Sequence, residues 1–149
     1  VADLIEARTK AALNLGATSI AIPNQGNDLA VIQEGSGNSP RIIFDCVGLP
    51  GSLQTAIDSA PSNARIIVVG LCMGADHYFP ARALVKELDI HFSYVYCRDD
   101  FQTVAELINQ RRIDPSPLIS ETVDLSDFPN TFEKLKKPDS QLKVILELN

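Results

Sequence analysis

The stretch IIFDCVGLPGSLQTAIDSAPSNARIIVVG, residues 42–70, decides the fold. It begins and ends with apolar runs at 42–44 and 66–69 that lack alternating polar residues. Such runs predict strands that are covered on both faces, as in a parallel sheet. Residues 53–59 between them are predicted to form a helix. A strand, a helix and a strand with short connections favour a doubly wound α/β sheet.

The same alternation continues on both sides of this stretch and changes character after Cys97. Further strands are predicted at 1–3, 19–22, 90–96, 121–125 and 143–148. Further helices are predicted at 6–15, through 32–34, at 81–88, at 101–110 and at 129–136. Gly16 would end the first of them. Asn27 or Asp28 would cap the second, the acid pair Asp99-Asp100 precedes the fourth, and Ser126 or Asp127 would cap the last.

Composition excludes several classes of protein. The chain has 149 residues, a size that suits one domain, and its net charge of -6 opposes nucleic-acid binding. No apolar run approaches the ~20 residues that span a bilayer, and no signal peptide is visible at the start. Cys46, Cys72 and Cys97 are odd in number and lack Cys-x-x-Cys spacing, so neither a disulfide framework nor a zinc knuckle is indicated. We therefore expect a reducing cytoplasm and no membrane partner.

A carboxylate follows the first predicted strand, in Val1-Ala2-Asp3, and the next helix carries Arg8. In a Rossmann sheet, an acidic residue at the end of the second strand accepts hydrogen bonds from the adenosine ribose of NAD and repels a ribose phosphate. Asp3 could equally cap the helix that follows, and the two roles are compatible. The Gly-rich turn of such a sheet would lie ~20 residues upstream, where this chain has no room for it. We therefore expect the chain to be a fragment or a processed product.

Several short blocks, in order, resemble the carboxyl-terminal part of the medium-chain dehydrogenase/reductase superfamily, which contains the zinc-type alcohol, polyol and threonine dehydrogenases. The blocks are Val1-Ala2-Asp3 with Arg8, Leu15-Gly16-Ala17, Ile43-Phe44-Asp45-Cys46-Val47-Gly48, Ile67-Val68-Val69-Gly70, Ile113-Asp114-Pro115 through Leu118-Ile119, and Lys143-Val144-Ile145-Leu146.

The resemblance implies an architecture. Residues 1–97 would be an NAD-binding Rossmann domain from its second strand onward, and residues 98–149 would be the chain returning to a GroES-like catalytic domain. The first strand, which is central in the order 3-2-1-4-5-6, would be missing. We therefore expect the native fold to need an upstream segment from the same gene product or from another chain.

The resemblance also assigns cofactor contacts. It places Asp3 and Arg8 beside the adenosine ribose, and the main chain from Ser93 to Val95 at the carboxamide. Two turns, Cys46-Val47-Gly48 and Val69-Gly70-Leu71, would face the adenine and the nicotinamide half of the cofactor. Lys143 aligns with a basic residue that contacts the pyrophosphate in some relatives, or it is a solvated surface lysine. Gly48 and Gly70 would allow close approach of the backbone, or would only begin tight turns. The edge strand from Ile90 to Tyr96 would pair across a homo-oligomer.

The function implied is that of an NAD-dependent dehydrogenase that interconverts a small alcohol or polyol and its carbonyl product. Its relatives transfer hydride with a catalytic zinc as Lewis acid. Because the zinc ligands of relatives lie in the first domain, no catalytic or metal residue is assigned, and the chain alone is expected to be inactive. His77 and His91 lack the spacing of a metal site. Three alternatives stay open: a zinc-free, NADPH-dependent quinone reductase branch, which Asp3 opposes, a non-catalytic α/β association module, and a generic nucleotide-free α/β domain.

Overall fold

The computed structural model describes residues 1–23, 40–137 and 139–148. The helix predicted through 32–34, with its cap at Asn27 or Asp28, lies outside these residues. The helices are α1 (Glu6–Asn14), α2 (Ser52–Ser59), α3 (Pro80–Val85), α4 (Arg98–Asn109) and α5 (Phe128–Leu135). The strands are β1 (Ile42–Asp45), β2 (Arg65–Val68), β3 (Asp89–Phe92), β4 (Ile119–Asp124) and β5 (Lys143–Glu147).

A three-stranded parallel sheet, in the order β1-β2-β3, forms the centre of one compact unit, residues 32–95. Ile43 of β1 lies beside Ile66 of β2, which lies beside Ile90 of β3. Ile43 and Ile90 pack against a buried cluster in which Ile57 and Ile66 are completely inaccessible to solvent. The other buried members of the cluster are Leu53, Ala56, Ala60 and Ala64. The predicted α/β fold with a parallel sheet is confirmed.

The sheet buries only one of its two faces well. Two right-handed crossovers in the same direction place α2 and α3 on the same face, and side chains of both helices pack on the core there. On the opposite face, Ile42 is 54% exposed and Phe44 is 63% exposed. The prediction that β1 is covered on both faces is therefore wrong for this chain.

Two elements of this unit end earlier than predicted, and a residue with positive φ follows shortly after each of them. The strand predicted to run to Tyr96 ends at Phe92, and Val95 has φ 46°, which a β-branched residue seldom adopts. The helix predicted to run to Leu88 ends at Val85, and Glu87 has φ 50°.

The second compact unit consists of residues 1–31 with 96–149. Here the predicted strands 1–3 and 19–22 form a single parallel bridge, between Ala2 and Ala21. Asp3 N–H donates to the Ala21 carbonyl at 3.2 Å, and Ala21 N–H donates to the Val1 carbonyl at 2.9 Å. An isolated pair of short strands is marginally stable, which explains why these segments pair over so short a length.

The carboxyl-terminal part of this unit contains the parallel pair β4 and β5, joined by α5. The predicted side-chain cap of α5, by Ser126 or Asp127, is not formed; a 3-10 turn, Leu125–Asp127, leads directly into the helix. At the start of α4, Asp100 Oδ2 accepts a hydrogen bond from Cys97 N–H at 2.7 Å, so Asp100 of the predicted acid pair caps that helix, and Asp99 lies in its first turn. The predicted domain boundary at residue 97 stays a prediction.

Within the described ranges, no helix is long and apolar enough to cross a membrane.

Candidate functional site

A pocket of about 290 Å³ lies at the carboxyl ends of β1, β2 and β3. We call it the strand-end pocket. Ligands of doubly wound sheets bind beyond these strand ends. The pocket is lined by Asp45, Gly48, Ser52, Leu53, Val68, Gly70, Leu71, Cys72, Gly74, Asp76, Tyr78 and Phe92. Three of the residues that the sequence assigned to the cofactor, Gly48, Gly70 and Leu71, are thereby brought together.

Two turns meet at this pocket, the β1 turn (residues 46–48) and the β2 turn (residues 69–71). A Cβ atom on Gly70 would overlap the main-chain nitrogen of Gly48. A Cβ on Gly48 would lie 2.7 Å from the Leu71 nitrogen, and Gly48 also has φ +69°. The close approach that these glycines permit is therefore the approach of one turn to the other. Their contact with a ligand stays a prediction.

Asp45 connects the two turns, although the sequence did not single it out as a site residue. Its side chain is buried, with 6% exposure of the residue. Oδ1 accepts a hydrogen bond from Val47 N–H at 3.0 Å, and Oδ2 accepts one from the Ser52 hydroxyl at 2.8 Å. Its main-chain carbonyl accepts hydrogen bonds from the N–H groups of Val69 at 2.8 Å and Gly70 at 2.9 Å. The signal available in the sequence was an acidic residue at the end of an otherwise apolar strand.

The loop that follows the β2 turn is fastened to the start of α2. Asp76 Oδ1 accepts hydrogen bonds from Gly51 N–H at 2.7 Å and from His77 N–H at 2.8 Å. Phe79 N–H donates to Gln54 Oε1 at 2.7 Å. Side chains thus hold this loop against the helix, beside the pocket.

A second pocket, of about 350 Å³, contains both Asp3 and Arg8. We call it the Asp3 pocket. It is also lined by Val1, Ala11, Ala12, Leu15, Leu118 and Leu142. Asp3 Oδ1 accepts a hydrogen bond from Ile5 N–H at 2.8 Å. The N-cap position of α1 is Ile5 and carries no side-chain cap, so the predicted capping of this helix by Asp3 is wrong. Arg8 Nε donates to the Asp139 carbonyl at 3.2 Å, which fixes the direction of its side chain.

The remaining predicted site residues do not line either pocket. Cys46 and Val47 belong to the β1 turn and are exposed, and Val69 is 49% exposed. Ser93 donates its N–H to the Val68 carbonyl at 2.9 Å, just beyond the end of β3. Val95 and Lys143 are exposed, and Lys143 begins β5.

In the part of the chain that the structure describes, no three His, Cys, Asp or Glu side chains are grouped closely enough to hold a metal ion. Cys46, Cys72 and Cys97 are free thiols. Cys72 Sγ donates to the Gly74 carbonyl at 3.6 Å, a contact within its own loop.

Comparison with known proteins decides the family. A family model described as zinc-binding dehydrogenase matches residues 1–110. This chain belongs to the zinc-binding dehydrogenase family. The resemblance to the zinc-type medium-chain dehydrogenases, drawn above from short sequence blocks, is thereby confirmed.

The relatives of this chain include polyol dehydrogenases. D-xylulose reductase of Saccharomyces cerevisiae is 27% identical, over 97% of the chain and 42% of the relative. Sorbitol dehydrogenase of Gallus gallus is 27% identical, over 99% of the chain and 42% of the relative. The chain therefore spans about two fifths of the length of these curated relatives.

Solved structures show the same relationship. An alcohol dehydrogenase of E. coli, in complex with NADH, superposes with a TM-score of 0.86 and 26% identity, over 98% of the chain and 43% of that protein. A 2R,3R-butanediol dehydrogenase from Bacillus subtilis gives a TM-score of 0.84 with 26% identity, over 99% of the chain and 43% of that protein. The architecture of the chain is thus that of the matching part of these enzymes.

Proposed function

We propose that this chain is the cofactor-binding part of an NAD-dependent dehydrogenase that interconverts a small alcohol or polyol and its carbonyl product. The observation that carries the proposal is the placement of Asp3 and Arg8 in one pocket, next to a parallel-paired segment. The NADH complex of the E. coli relative supports the choice of cofactor. NAD, when bound, supplies the hydride acceptor.

Asp3 would select the cofactor. One carboxylate oxygen holds Ile5 N–H, and the other would accept hydrogen bonds from the ribose hydroxyls. Its negative charge would repel the extra phosphate of NADP. Arg8, directed by the Asp139 carbonyl through Nε, would present its terminal nitrogens beside the same ribose.

The strand-end pocket would face the adenine and the nicotinamide half of the cofactor through its two turns. Its β1 turn (Cys46, Val47, Gly48) and β2 turn (Val69, Gly70, Leu71) would supply main-chain contacts. The main chain from Ser93 to Val95 would hold the carboxamide, and Lys143 would contact the pyrophosphate. The described residues include no group of three potential metal ligands, and we assign no zinc chemistry to them. Because the resemblance places the zinc ligands in another domain, we propose that the chain is inactive alone.

The test of this proposal is a fluorescence titration of the chain with NADH and with NADPH. We expect a saturable signal with NADH and at least tenfold weaker binding of NADPH, the equivalent of about 1.4 kcal/mol or more. Asp3→Ala should reduce this discrimination. Asp3→Asn is the matched control for charge, because it keeps an oxygen for Ile5 N–H while removing the repulsion of phosphate.

Each alternative function has its own outcome in this titration. An absence of any saturable signal would favour the non-catalytic association module. A preference for NADPH that Asp3→Ala leaves unchanged would favour the quinone reductase branch.

We also propose that the chain forms a homo-oligomer through the sheet edge at β3. β3 is an outer strand of the three-stranded sheet, and an uncovered edge tends to pair with another chain. Tyr94 and Tyr96, just beyond this strand, are 76% and 69% exposed. Sedimentation equilibrium should show a mass above that of one chain, and Tyr94→Asp should reduce it. A wild-type chain that sediments as a monomer would contradict this proposal.

The compartment proposed for the chain is the cytoplasm. The three free thiols support a reducing environment. The net charge of -6 argues against nucleic acid as a partner, so the proposed partners are a small alcohol or carbonyl substrate and further copies of the protein.

A further inference from the structure

We propose that Asp45 is a positioning residue, whose buried carboxylate holds the β1 and β2 turns in the arrangement that binds the cofactor. This inference rests on the proposed function, because it concerns the strand-end pocket. It assigns to Asp45 no contact with the reacting atoms.

The carboxylate fixes the β1 turn from inside. Both of its oxygens are used, one by Val47 N–H and the other by the Ser52 hydroxyl. Val47 lies in the turn itself, whereas Ser52 is the first residue of α2. The side chain therefore joins the end of β1 to the start of the next helix, across the turn between them.

The same residue reaches the β2 turn through its main chain. Its carbonyl accepts hydrogen bonds from Val69 and Gly70, at 2.8 and 2.9 Å. The turns also touch directly, since any Cβ on Gly70 would overlap the Gly48 nitrogen. A displacement of the β1 turn must therefore displace the β2 turn.

Removal of the carboxylate leaves the Val47 N–H and the Ser52 hydroxyl without their acceptor, and both of these hydrogen bonds are part-buried. Asp45 itself is 6% exposed, and donors that lose their acceptor away from bulk water are destabilised until the local structure rearranges. We expect the β1 turn to move toward water, and the β2 turn to follow it. The pocket, which both turns line through Gly48 and Gly70, would lose its shape for the cofactor.

The experiment compares Asp45→Ala, Asp45→Asn and Lys86→Met in the 149-residue chain, at a temperature where circular dichroism shows all of them folded. Asn keeps an oxygen for Val47 N–H, and its amide can donate to the Ser52 hydroxyl instead. Lys86→Met is the matched control, because Lys86 Nζ bonds main-chain carbonyls at the opposite end of α2. It weakens the same helix without touching the pocket.

The first readout is affinity for NADH. We expect at least tenfold weaker binding by Asp45→Ala, and binding within about threefold of the wild type by Asp45→Asn and Lys86→Met. Equal losses in Asp45→Ala and Lys86→Met would show that Asp45 acts only through overall stability, and would overturn the proposal.

The second readout needs no cofactor, so it separates this inference from the proposed function. Amide hydrogen exchange at Val47 and Gly70 should be at least tenfold faster in Asp45→Ala, relative to exchange at Ile57 in the same variant. Uniform acceleration at all three amides would overturn the inference even if NADH binds. If the wild type fails to bind NADH, the proposed function fails, and exchange alone decides the role of Asp45.

Ser52→Ala serves if Asp45→Ala does not fold. It removes one donor and leaves the carboxylate, so we expect the same local acceleration at Val47 and Gly70 to a smaller degree. Unchanged exchange at both amides would count against the proposal.

Discussion

Two glycines show how a residue identity can be set by one contact. Gly48 and Gly70 face each other with no room for a Cβ atom on either. The sequence indicated that backbone passes close to something here, and the structure shows that the neighbour is another turn. Sequence alone could not reveal this, because the two residues lie in different strand-to-helix connections.

Gly70→Ala should lower the free energy of unfolding by about 2 kcal/mol or more, because the added Cβ forces two backbones apart. Gly74→Ala is the matched control: it lies in the following loop, and a Cβ there meets nothing within 4 Å. Urea unfolding of both variants checks the prediction. Equal stability of the two would mean that the turns separate without cost.

Paired surface carboxylates make stability depend on pH. The Arg65 guanidinium lowers the pKa of Asp89, with a smaller contribution from His91. The Arg82 guanidinium likewise lowers the pKa of Asp58. A lowered pKa in the folded state gives stability that is present above the unfolded pKa, near 4, and is lost as the pH falls toward the folded value.

We therefore expect the urea concentration at the unfolding midpoint of the wild type to decrease as the pH is lowered from 6 to 3. In Asp89→Asn, this fall should be smaller, because the residue no longer titrates. Thr103→Ala, on another exposed surface, should keep the wild-type slope. An Asp89→Asn slope as steep as the wild type would show that the ion pair with Arg65 contributes nothing to acid unfolding.

At the scale of the element, α2 is held at both ends by side chains from elsewhere. Asp45 and Asp76 hold its start through Ser52 and Gly51. At its end, Lys86 Nζ donates to the carbonyls of Ile57 at 2.8 Å, Asp58 at 2.9 Å and Ala60 at 2.8 Å. A cation at this end also interacts favourably with the helix dipole.

Lys86→Met should lower the free energy of unfolding by about 2 kcal/mol, since it removes charge-assisted hydrogen bonds from three carbonyls. Lys10→Met is the control. The Lys10 side chain is 66% exposed and pairs with Glu6 on its own helix, so its loss should cost about 0.5 kcal/mol or less. Thermal or urea unfolding distinguishes the two variants.

The sequence predicted the types of the elements well and some of their ends poorly. α1, α2 and α4 lie close to their predicted places, because apolar spacing and stop residues are local signals. β3 and α3 end early, at Phe92 and Val85, and left-handed backbone follows at Val95 and Glu87. Neither valine nor glutamate favours that conformation, so residue propensities did not predict these early ends.

At the scale of the whole molecule, the sequence predicted the parallel α/β fold and the family, but it did not predict which face of the sheet would be bare. The crossovers that bury Ile57 and Ile66 on one side leave Phe44 on the other. The resemblance placed Asp3 and Arg8 beside one ribose, and the structure places both in one pocket; their contact with a cofactor stays a prediction. The hydrogen bonds of Asp45 could not be predicted, because they depend on contacts between neighbouring strands.

The small core sets the pattern of protection from hydrogen exchange. Ile57 and Ile66 are fully buried, so the amides of α2 and β2 should exchange most slowly in their unit. Ile57→Ala should cost about 3 kcal/mol, through lost burial and the cavity left behind. Hydrogen exchange measured by mass spectrometry should show that this variant loses protection of its amides across residues 42–68. Slow exchange there in the variant would contradict the assignment of Ile57 to the core.

The exposed sheet face with Ile42 and Phe44 also affects the solubility and the chromatographic retention of the protein. Solvent-exposed apolar side chains adsorb to phenyl resin and bind fluorescent dyes such as ANS. The protein should therefore be retained on a hydrophobic-interaction column, and its solution should become turbid through aggregation as the protein is concentrated. Phe44→Lys, which puts a charge on that face and leaves the helix side alone, should elute earlier and remain clear at a higher concentration.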